Sequence, residues 1–151
     1  MMDDLTAKFW LDSTPKKIST RIDTFLHKRR HELFPTFTEQ QLSEERRFYC
    51  LTITNEDDEF IAIMQGSFIW GWAHVHTLFV DSFSRSDGMG TDMLEDLENL
   101  IKENHPDLLG IMLETSTEKN VEFYTKCGFI VHGSLEDFPP GSIKYYLSKK
   151  F

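Results

Sequence analysis

The chain has 151 residues, of which 40% are hydrophobic and 13% aromatic, which is enough to fill the core of one domain. We therefore expect a single domain over residues 1–151. The formal net charge of −9 argues against a nucleic-acid partner, because such a partner requires a basic face. The first 50 residues hold nine basic and eight acidic side chains, so the negative charge lies in the rest of the chain. That charge suits a cationic small substrate, or it serves solubility alone.

Cysteine spacing and hydropathy exclude further classes. Cys50 and Cys127 form no Cys-x-x-Cys pair, and no Cys/His cluster has the spacing of a zinc site, so we expect no metal. The acidic start lacks the basic and apolar regions of a signal peptide. The most apolar run, residues 60–80, is interrupted by histidines and glycines and is not predicted to span a membrane. These observations predict a soluble, cytoplasmic protein without a membrane partner.

Hydrophobic periodicity predicts alternating strands and helices along the chain. A strand over residues 5–11 is expected first, then a helix from Pro15 to about Leu33, and a short helix from Thr36 or Thr38 to about 46. The later elements are strands over 48–54, 60–70 and 72–80, a helix over 91–104, a strand over 108–113, a helix over 118–126, and strands beginning at 129 and 143, with a loop over 133–141. The strands over 48–54 and 60–70 are predicted to form an antiparallel hairpin.

The strand over residues 72–80 is expected to be central, because both of its faces are partly apolar. Alternation places His74, His76, Leu78 and Val80 on one side, and the other side carries Ala73, Val75, Thr77 and Phe79. Two histidines on one face of a central strand are either hydrogen-bonded core residues or part of a site.

The same strand leads into a loop with the chemistry of an anion site. Arg85 precedes Gly88 and Gly90, and a helix begins directly afterwards. Glycines allow backbone N–H groups to approach an anion, and the first helical turn adds unpaired donors. An arginine adds a planar, permanently charged group suited to phosphate oxygens. An ordinary strand–turn–helix connection would contain similar residues.

A second helix, carrying Asn120 and Tyr124 one turn apart, is predicted to begin at the same end of the sheet. The loop and this helix carry two motifs whose order and spacing match those of one protein family. Arg85-Ser-Asp-Gly88-Met-Gly90 resembles the Arg/Gln-x-x-Gly-x-Gly/Ala signature of the GNAT superfamily of acyl-CoA N-acyltransferases, and residues 123–129 resemble its Phe-Tyr-x-x-x-Gly-Phe segment. The resemblance covers roughly residues 48–151, and part of the tail is similar to a subgroup of small bacterial members.

This resemblance implies a mixed α/β fold. Its mostly antiparallel central sheet would have about six to seven strands, about four flanking helices, and one parallel pair at the cofactor site. It also implies acetyl-CoA as cosubstrate, with pyrophosphate on the loop and pantetheine along the strand. The implied contacts are Leu78, Phe79, Val80, Arg85, Ser86, Asp87, Gly88, Met89, Gly90, Thr91, Thr117, Asn120 and Tyr124.

Catalytic roles follow from the same resemblance. Tyr124 stands where the family commonly protonates the leaving thiolate, and a tyrosine stays protonated at neutral pH. The strand position that often carries a carboxylate base offers His76 instead, with Glu114 as a second candidate base. Two positions depart from the family pattern. Thr117 replaces a common asparagine, and Asp87 places a negative charge near a phosphate.

The chain is thus predicted to move an acetyl group directly to a primary amine. The acidic balance, together with Trp70, Trp72, Phe37 and Phe138, favours a small cationic or aromatic acceptor such as an antibiotic, polyamine or peptide amine. A CoA-binding or partner-binding module with little catalysis is the alternative. Members of the family are often dimers, so a homodimer is one option.

Overall fold

The computed structural model describes residues 6–82, 85 and 87–151. The chain divides into two compact units, Met1–Glu44 and Glu45–Phe151. The expectation of a single domain over the whole length stays a prediction. No helix in the described part of the chain is both long and apolar enough to cross a bilayer.

Within its described residues, the first unit contains three helices: α1 (Lys16–Lys28), α2 (Arg30–Leu33) and α3 (Glu39–Ser43). The predicted single helix to Leu33 is interrupted at Arg29, whose φ of −113° and ψ of 16° leave the helical region. The predicted strand over 5–11 is wrong for residues 6–11, which adopt neither helix nor strand. Alternation alone forms no strand, since backbone groups need a partner strand.

The short helix α3 begins where the sequence allows a cap. The Thr38 hydroxyl accepts a hydrogen bond from the Gln41 N–H at 3.2 Å, and the Gln41 side chain accepts one from the Thr38 N–H at 2.9 Å. This reciprocal pair satisfies donors that the first turn leaves without intrahelical partners. Of the two predicted starts, Thr38 is therefore the cap.

The second unit is built on a sheet whose six described strands lie in the order β1-β2-β3-β4-β6-β5. The β3–β4 pair is parallel and every other pair is antiparallel. This confirms the expected mixed, mostly antiparallel α/β architecture with one parallel pair. The strands are β1 (Arg47–Thr54), β2 (Phe60–Ile69), β3 (Trp72–Val80), β4 (Gly110–Thr115), β5 (Ile130–Glu136) and β6 (Ile143–Lys150).

Helices α4 (Met89–Asn104) and α5 (Glu118–Lys126) complete this unit. The predicted stripe of α4 is buried at Met93, Leu94, Leu97 and Ile101, but Leu100 is 45% exposed. A 3.6-residue period defines the direction of a face and not its width, which explains the difference at Leu100. The core that the stripe joins also includes Ala62, Met64, Ala73, Val75, Ile111, Leu113, Tyr124, Phe129 and Leu147.

The last hairpin is longer than predicted. The segment over residues 133–136, expected to be a loop, continues β5, and Gly133 pairs with Tyr146 of β6. A glycine and a serine favour a turn in isolation, but the neighbouring strand offers their backbone groups a ladder. The remaining loop ends at Gly141 with φ of 81°.

Candidate functional site

A β-bulge interrupts the pairing of β2 with β3 at the predicted site. Val75 pairs with Gly66, whereas Thr77 pairs with Gln65, so His76 is the extra residue of the bulge. A bulge bends the strand and redirects the side chains beyond it. Gly66 accommodates the bend, because a Cβ atom there would lie 2.0 Å from the His74 carbonyl oxygen.

The bulge reverses the predicted alternation of β3. Ala73 and Val75 are buried before it, and Leu78 and Val80 pack against the same core after it. The prediction that the two histidines share a face with Leu78 and Val80 is therefore wrong. A period-2 pattern cannot reveal an inserted residue, since one extra position exchanges the two faces.

Beyond the bulge, β3 leaves its parallel neighbour. The two strands pair from Trp72 with Gly110 to Val75 with Leu113, yet β3 continues to Val80. The backbone of Leu78–Val80 consequently has no β4 partner within the described chain. The two strands therefore separate at the carboxyl end of the parallel pair, which leaves a gap between them.

A polar network surrounds His76 beside this gap. The His76 Nε2 atom lies 2.8 Å from the Ser67 Oγ atom, and the Arg46 Nη1 atom donates to the same oxygen at 2.9 Å. Ser67 is fully buried. His76 itself is exposed and lines a groove of about 410 Å³ together with Phe48, Tyr49, Cys50, Gln65 and Gly66.

Glu114 on β4 joins the network through His74. The His74 Nε2 atom lies 2.6 Å from Glu114 Oε2, and the rings of His74 and His76 have centroids 4.3 Å apart. The Tyr49 hydroxyl donates to the His74 carbonyl oxygen at 3.1 Å and so anchors the backbone beside the bulge. The structure thus brings together both candidate bases that the sequence suggested.

The surroundings lower the pKa of His76 from its usual value of 6.5. Desolvation is the largest cause, and the positive charges of His74 and Arg46 act in the same direction. The Glu114 carboxylate opposes them and raises the pKa. His76 is therefore neutral at physiological pH.

The described end of the β3–α4 connection leaves backbone donors at the start of α4. Gly88 adopts φ of 77°, and no side chain among the described residues caps the helix, so its first N–H groups are left to other partners. Gly90 permits close packing, because a Cβ atom there would lie 3.1 Å from the Phe123 ring. The Arg85 Nε atom donates to the Val80 carbonyl oxygen at 2.9 Å. Ser86 lies outside the described residues, and Asp87 is exposed.

The start of α5 explains one departure from the family pattern. The Thr117 hydroxyl accepts a hydrogen bond from the Asn120 N–H at 3.1 Å and caps the helix. The Asn120 side chain donates to the Thr115 hydroxyl at 3.1 Å, which ties α5 to the end of β4. Both residues therefore have structural roles in this turn.

Tyr124 is buried in the core of the second unit. Its ring makes edge contacts with Phe123 and Phe129, at centroid distances of 5.0 Å and 5.7 Å. Burial raises the pKa of its hydroxyl to about 12, and Cys127 adds to this effect. No hydrogen bond or ring contact in the described part of the chain joins Tyr124 to His76.

The aromatic residues predicted to contact the acceptor lie in different elements of the chain, and their part in acceptor binding stays a prediction. Trp70 lies in the β2–β3 turn and Trp72 begins β3, at the opposite end of that strand. Phe138 packs beneath the Lys144 ammonium at 4.2 Å. Phe37, in the first unit, packs against Phe34.

Sequence reasoning missed Arg46, Ser67 and Tyr49, which hold the histidine region in place. Arg46 and Ser67 are 21 residues apart, and no motif connects them. The available signal was Gly66, because a glycine inside a predicted strand indicates a bulge or a close approach of another group.

The sequence model described as the acetyltransferase (GNAT) family matches residues 12–129. The chain belongs to this family. It is therefore an N-acetyltransferase, and the alternative of a binding module with little catalysis is not supported. A curated relative, blasticidin-S acetyltransferase of Streptomyces morookaense, is 28% identical over 102 residues, which cover 68% of this chain and 74% of the relative.

Solved structures share the GNAT fold of this chain. An acetyltransferase from Bacillus cereus superposes with a TM-score of 0.74 at 22% identity, covering 95% of this chain and 98% of the other. An aminoglycoside 6'-N-acetyltransferase complexed with coenzyme A has a TM-score of 0.60 at 16% identity, and the match covers 91% of this chain and 95% of the other. At these identities the likeness concerns the fold alone.

Proposed function

We propose that this N-acetyltransferase uses acetyl-CoA to acetylate the primary amine of a small cationic acceptor of the antibiotic type. The observation that carries the proposal is the gap between β3 and β4, which opens beside an uncapped helix start and the His76 network. The first two features suit an acyl-CoA, and the network suits proton removal from an amine.

Acetyl-CoA would lie along the open edge of β3. On its side away from β2, the segment Leu78–Val80 has no strand partner among the described residues, so it offers the hydrogen-bonding groups that an added strand uses, and the pantetheine arm carries matching amides. The Val80 carbonyl oxygen is already engaged, since it accepts a hydrogen bond from Arg85. The pyrophosphate would bind the first N–H groups of α4, with the Arg85 guanidinium beside it. The full set of proposed contacts is Leu78, Phe79, Val80, Arg85, Ser86, Asp87, Gly88, Met89, Gly90, Thr91, Thr117, Asn120 and Tyr124.

The reaction is a direct transfer. The neutral amine attacks the thioester carbonyl carbon, a C–N bond forms, and the C–S bond breaks to release the CoA thiolate. The amine nitrogen loses one proton to a base, which passes it to solvent, and the CoA thiolate takes one proton from solvent, so that the products are the amide and free CoA. His76 and Glu114 are the two candidate bases within the network.

Tyr124 is the residue that the family resemblance implies as the acid for the leaving thiolate. A thiol has a reference pKa of about 8.5, so full proton transfer from a phenol with a pKa of about 12 would cost about 5 kcal/mol. Hydrogen bonding from the phenol avoids this cost and still stabilises the developing negative charge. We therefore propose that Tyr124 acts as a hydrogen-bond donor to sulfur while the C–S bond breaks.

The acceptor class rests on charge and on the curated relative. The formal net charge of −9 attracts a cation, and the relative's name specifies blasticidin-S, an antibiotic. The 410 Å³ groove lined by His76 has room for part of a small molecule beside the gap. A cytoplasmic location and a homodimer stay predictions.

The test is an acceptor screen with acetyl-CoA in which released thiol is measured. The panel contains blasticidin S, streptothricin, an aminoglycoside, spermidine, a peptide amine and matched anionic amines. We expect turnover with at least one cationic antibiotic and none with the anionic amines. Turnover confined to anionic acceptors would overturn the acceptor class, and absence of acetyl-CoA binding by calorimetry would overturn the whole proposal.

A further inference from the structure

Hydrogen-bond counting at Ser67 assigns the tautomer of His76. The Ser67 hydroxyl is fully buried and has two partners among the described residues, Arg46 and His76. A guanidinium has donors only, so Arg46 occupies a lone pair of the Ser67 oxygen. The Ser67 proton then has His76 Nε2 as its acceptor, because a buried hydroxyl that donates to nothing loses its hydration without compensation.

The other ring nitrogen of His76 is Nδ1. When Nε2 of a neutral imidazole accepts a hydrogen bond, Nδ1 carries the proton. His76 therefore holds its lone pair towards buried Ser67 and has an N–H group at Nδ1, for which no partner appears in the described chain. In this state the ring is a hydrogen-bond donor, and its basic nitrogen is occupied.

We infer that Arg46 and Ser67 are positioning residues that hold His76 as a neutral Nδ1–H donor, and that Glu114 is the base of the reaction. This rests on the proposed function. The His76 N–H would bind an oxygen or nitrogen of the substrates, while the Glu114 carboxylate, hydrogen-bonded to His74, would accept the proton of the amine.

Electrostatics agree with this geometry. Protonation of His76 at Nε2 would turn the acceptor of the Ser67 hydrogen bond into a donor and leave the buried hydroxyl without an acceptor. Among the described residues, the charged and titratable groups around His76 are Arg46, His74 and Glu114, together with the Tyr49 hydroxyl and the Cys50 thiol of the same groove. Of these, Arg46 and His74 also disfavour a positive charge on the ring, and Glu114 favours one.

The tautomer can be measured without any substrate. The full chain, labelled with nitrogen-15 at histidine, is examined by long-range proton–nitrogen correlation at pH 8, and the signals of His76 are those lost in His76→Gln. We expect a protonated Nδ1 and an unprotonated Nε2. An Nε2–H tautomer of His76 in the wild-type chain would overturn the inference.

Two variants separate the parts of the network. Ser67→Ala removes the hydroxyl, so the Nδ1–H signature should give way to a mixture of tautomers and the pKa of His76 should rise. Arg46→Gln keeps a donor but removes the charge, so the tautomer should persist while the pKa rises. Ser134→Ala, on the exposed part of β5, is the matched control and should change neither. An unchanged spectrum in Ser67→Ala would contradict the positioning role.

Kinetics with an active acceptor then test the assignment of roles. His76→Asn retains an N–H donor without a titratable nitrogen, whereas His76→Leu retains neither. We expect His76→Asn to keep turnover within about tenfold of wild type and to preserve the acidic limb of the pH profile, with His76→Leu at least tenfold lower than His76→Asn. Equal losses in both variants, with disappearance of that limb, would make His76 the base. If no amine in the panel reacts, the proposed function fails while the tautomer result stands.

Discussion

The Nε2 atom of His74 lies 2.6 Å from Oε2 of Glu114 and joins the two strands of the parallel pair just before they separate. The His74 side chain is 17% accessible and the Glu114 side chain is 32% accessible. Because the Glu114 carboxylate is partly exposed, solvent can reach it, as the proposed base for acetyl transfer requires.

Glu114→Gln should reduce turnover about 100-fold or more, because an amide keeps the shape and a hydrogen bond to His74 but accepts no proton. The expected change lies in kcat, with little effect on the KM for acetyl-CoA. Steady-state kinetics over a pH series measure it. Glu136→Gln, at the end of β5, is the control and should behave as wild type. Wild-type kcat in Glu114→Gln would remove Glu114 from the base role.

Tyr124→Phe should lower kcat about 10- to 100-fold and leave acetyl-CoA affinity within about threefold, since the ring and its contacts with Phe123 and Phe129 remain. Single-turnover kinetics and calorimetric titration separate the two quantities. Tyr145→Phe is the matched control. An unchanged kcat would show that the hydroxyl does not assist departure of the thiolate.

Arg85→Gln should weaken acetyl-CoA binding about tenfold, and the wild-type affinity should fall with rising salt more steeply than that of the variant. The reason is that a guanidinium beside the pyrophosphate contributes charge as well as hydrogen bonds. Calorimetry at two salt concentrations provides the measurement. Arg21→Gln on α1 controls for the loss of one positive charge. Equal affinities for wild type and Arg85→Gln would remove Arg85 from the cofactor site.

Gly66→Ala should destabilise the protein by about 1–3 kcal/mol or more. An added Cβ atom would lie 2.0 Å from the His74 carbonyl oxygen and 2.3 Å from the Tyr49 hydroxyl. The bulge and the hydrogen bond between Tyr49 and the His74 carbonyl oxygen must therefore both shift. Denaturant unfolding measures the change. Gly133→Ala, where the nearest atom would be 4.0 Å away, should have a much smaller effect. Equal stabilities of the two variants would contradict a tightly packed bulge.

The acid stability of the protein should depend on Glu98. Desolvation raises the pKa of this carboxyl, but hydrogen bonds from Lys102 and Lys149, at 2.7 Å each, outweigh it and leave the pKa below 4.5. A lowered folded-state pKa means that the stabilisation is present above pH 4.5 and is lost as pH falls further. Glu98→Gln should therefore cost about 1–2 kcal/mol at pH 7 and have less effect at pH 3.

Thermal unfolding from pH 7 to pH 3 measures this dependence. The exposed Glu103, at the end of α4, provides the control variant Glu103→Gln, which should follow the wild-type curve. A constant difference in Tm between wild type and Glu98→Gln at every pH would show that the ion pairs are not what Glu98 contributes.

Local patterns in the sequence were sufficient for most of the second unit. The strand at Trp72–Val80 and the helix at Glu118–Lys126 were predicted with the bounds that the structure shows, because apolar periodicity and terminal signals act over a few neighbouring residues. The glycines at 88 and 90 indicated an anion loop for the same reason, since their backbone freedom is a local property.

The tertiary structure alone decided the environment of His76. The bulge exchanges the faces of β3, and only the pairing with β2 reveals which residue is inserted. Arg46 and Ser67 reach His76 across neighbouring strands, so no sequence spacing links them. The sequence by itself determined the family, the order of the elements and the candidate residues. Hydrogen-bond partners and charge states came from packing between distant segments, because burial and close approach are properties of the folded chain.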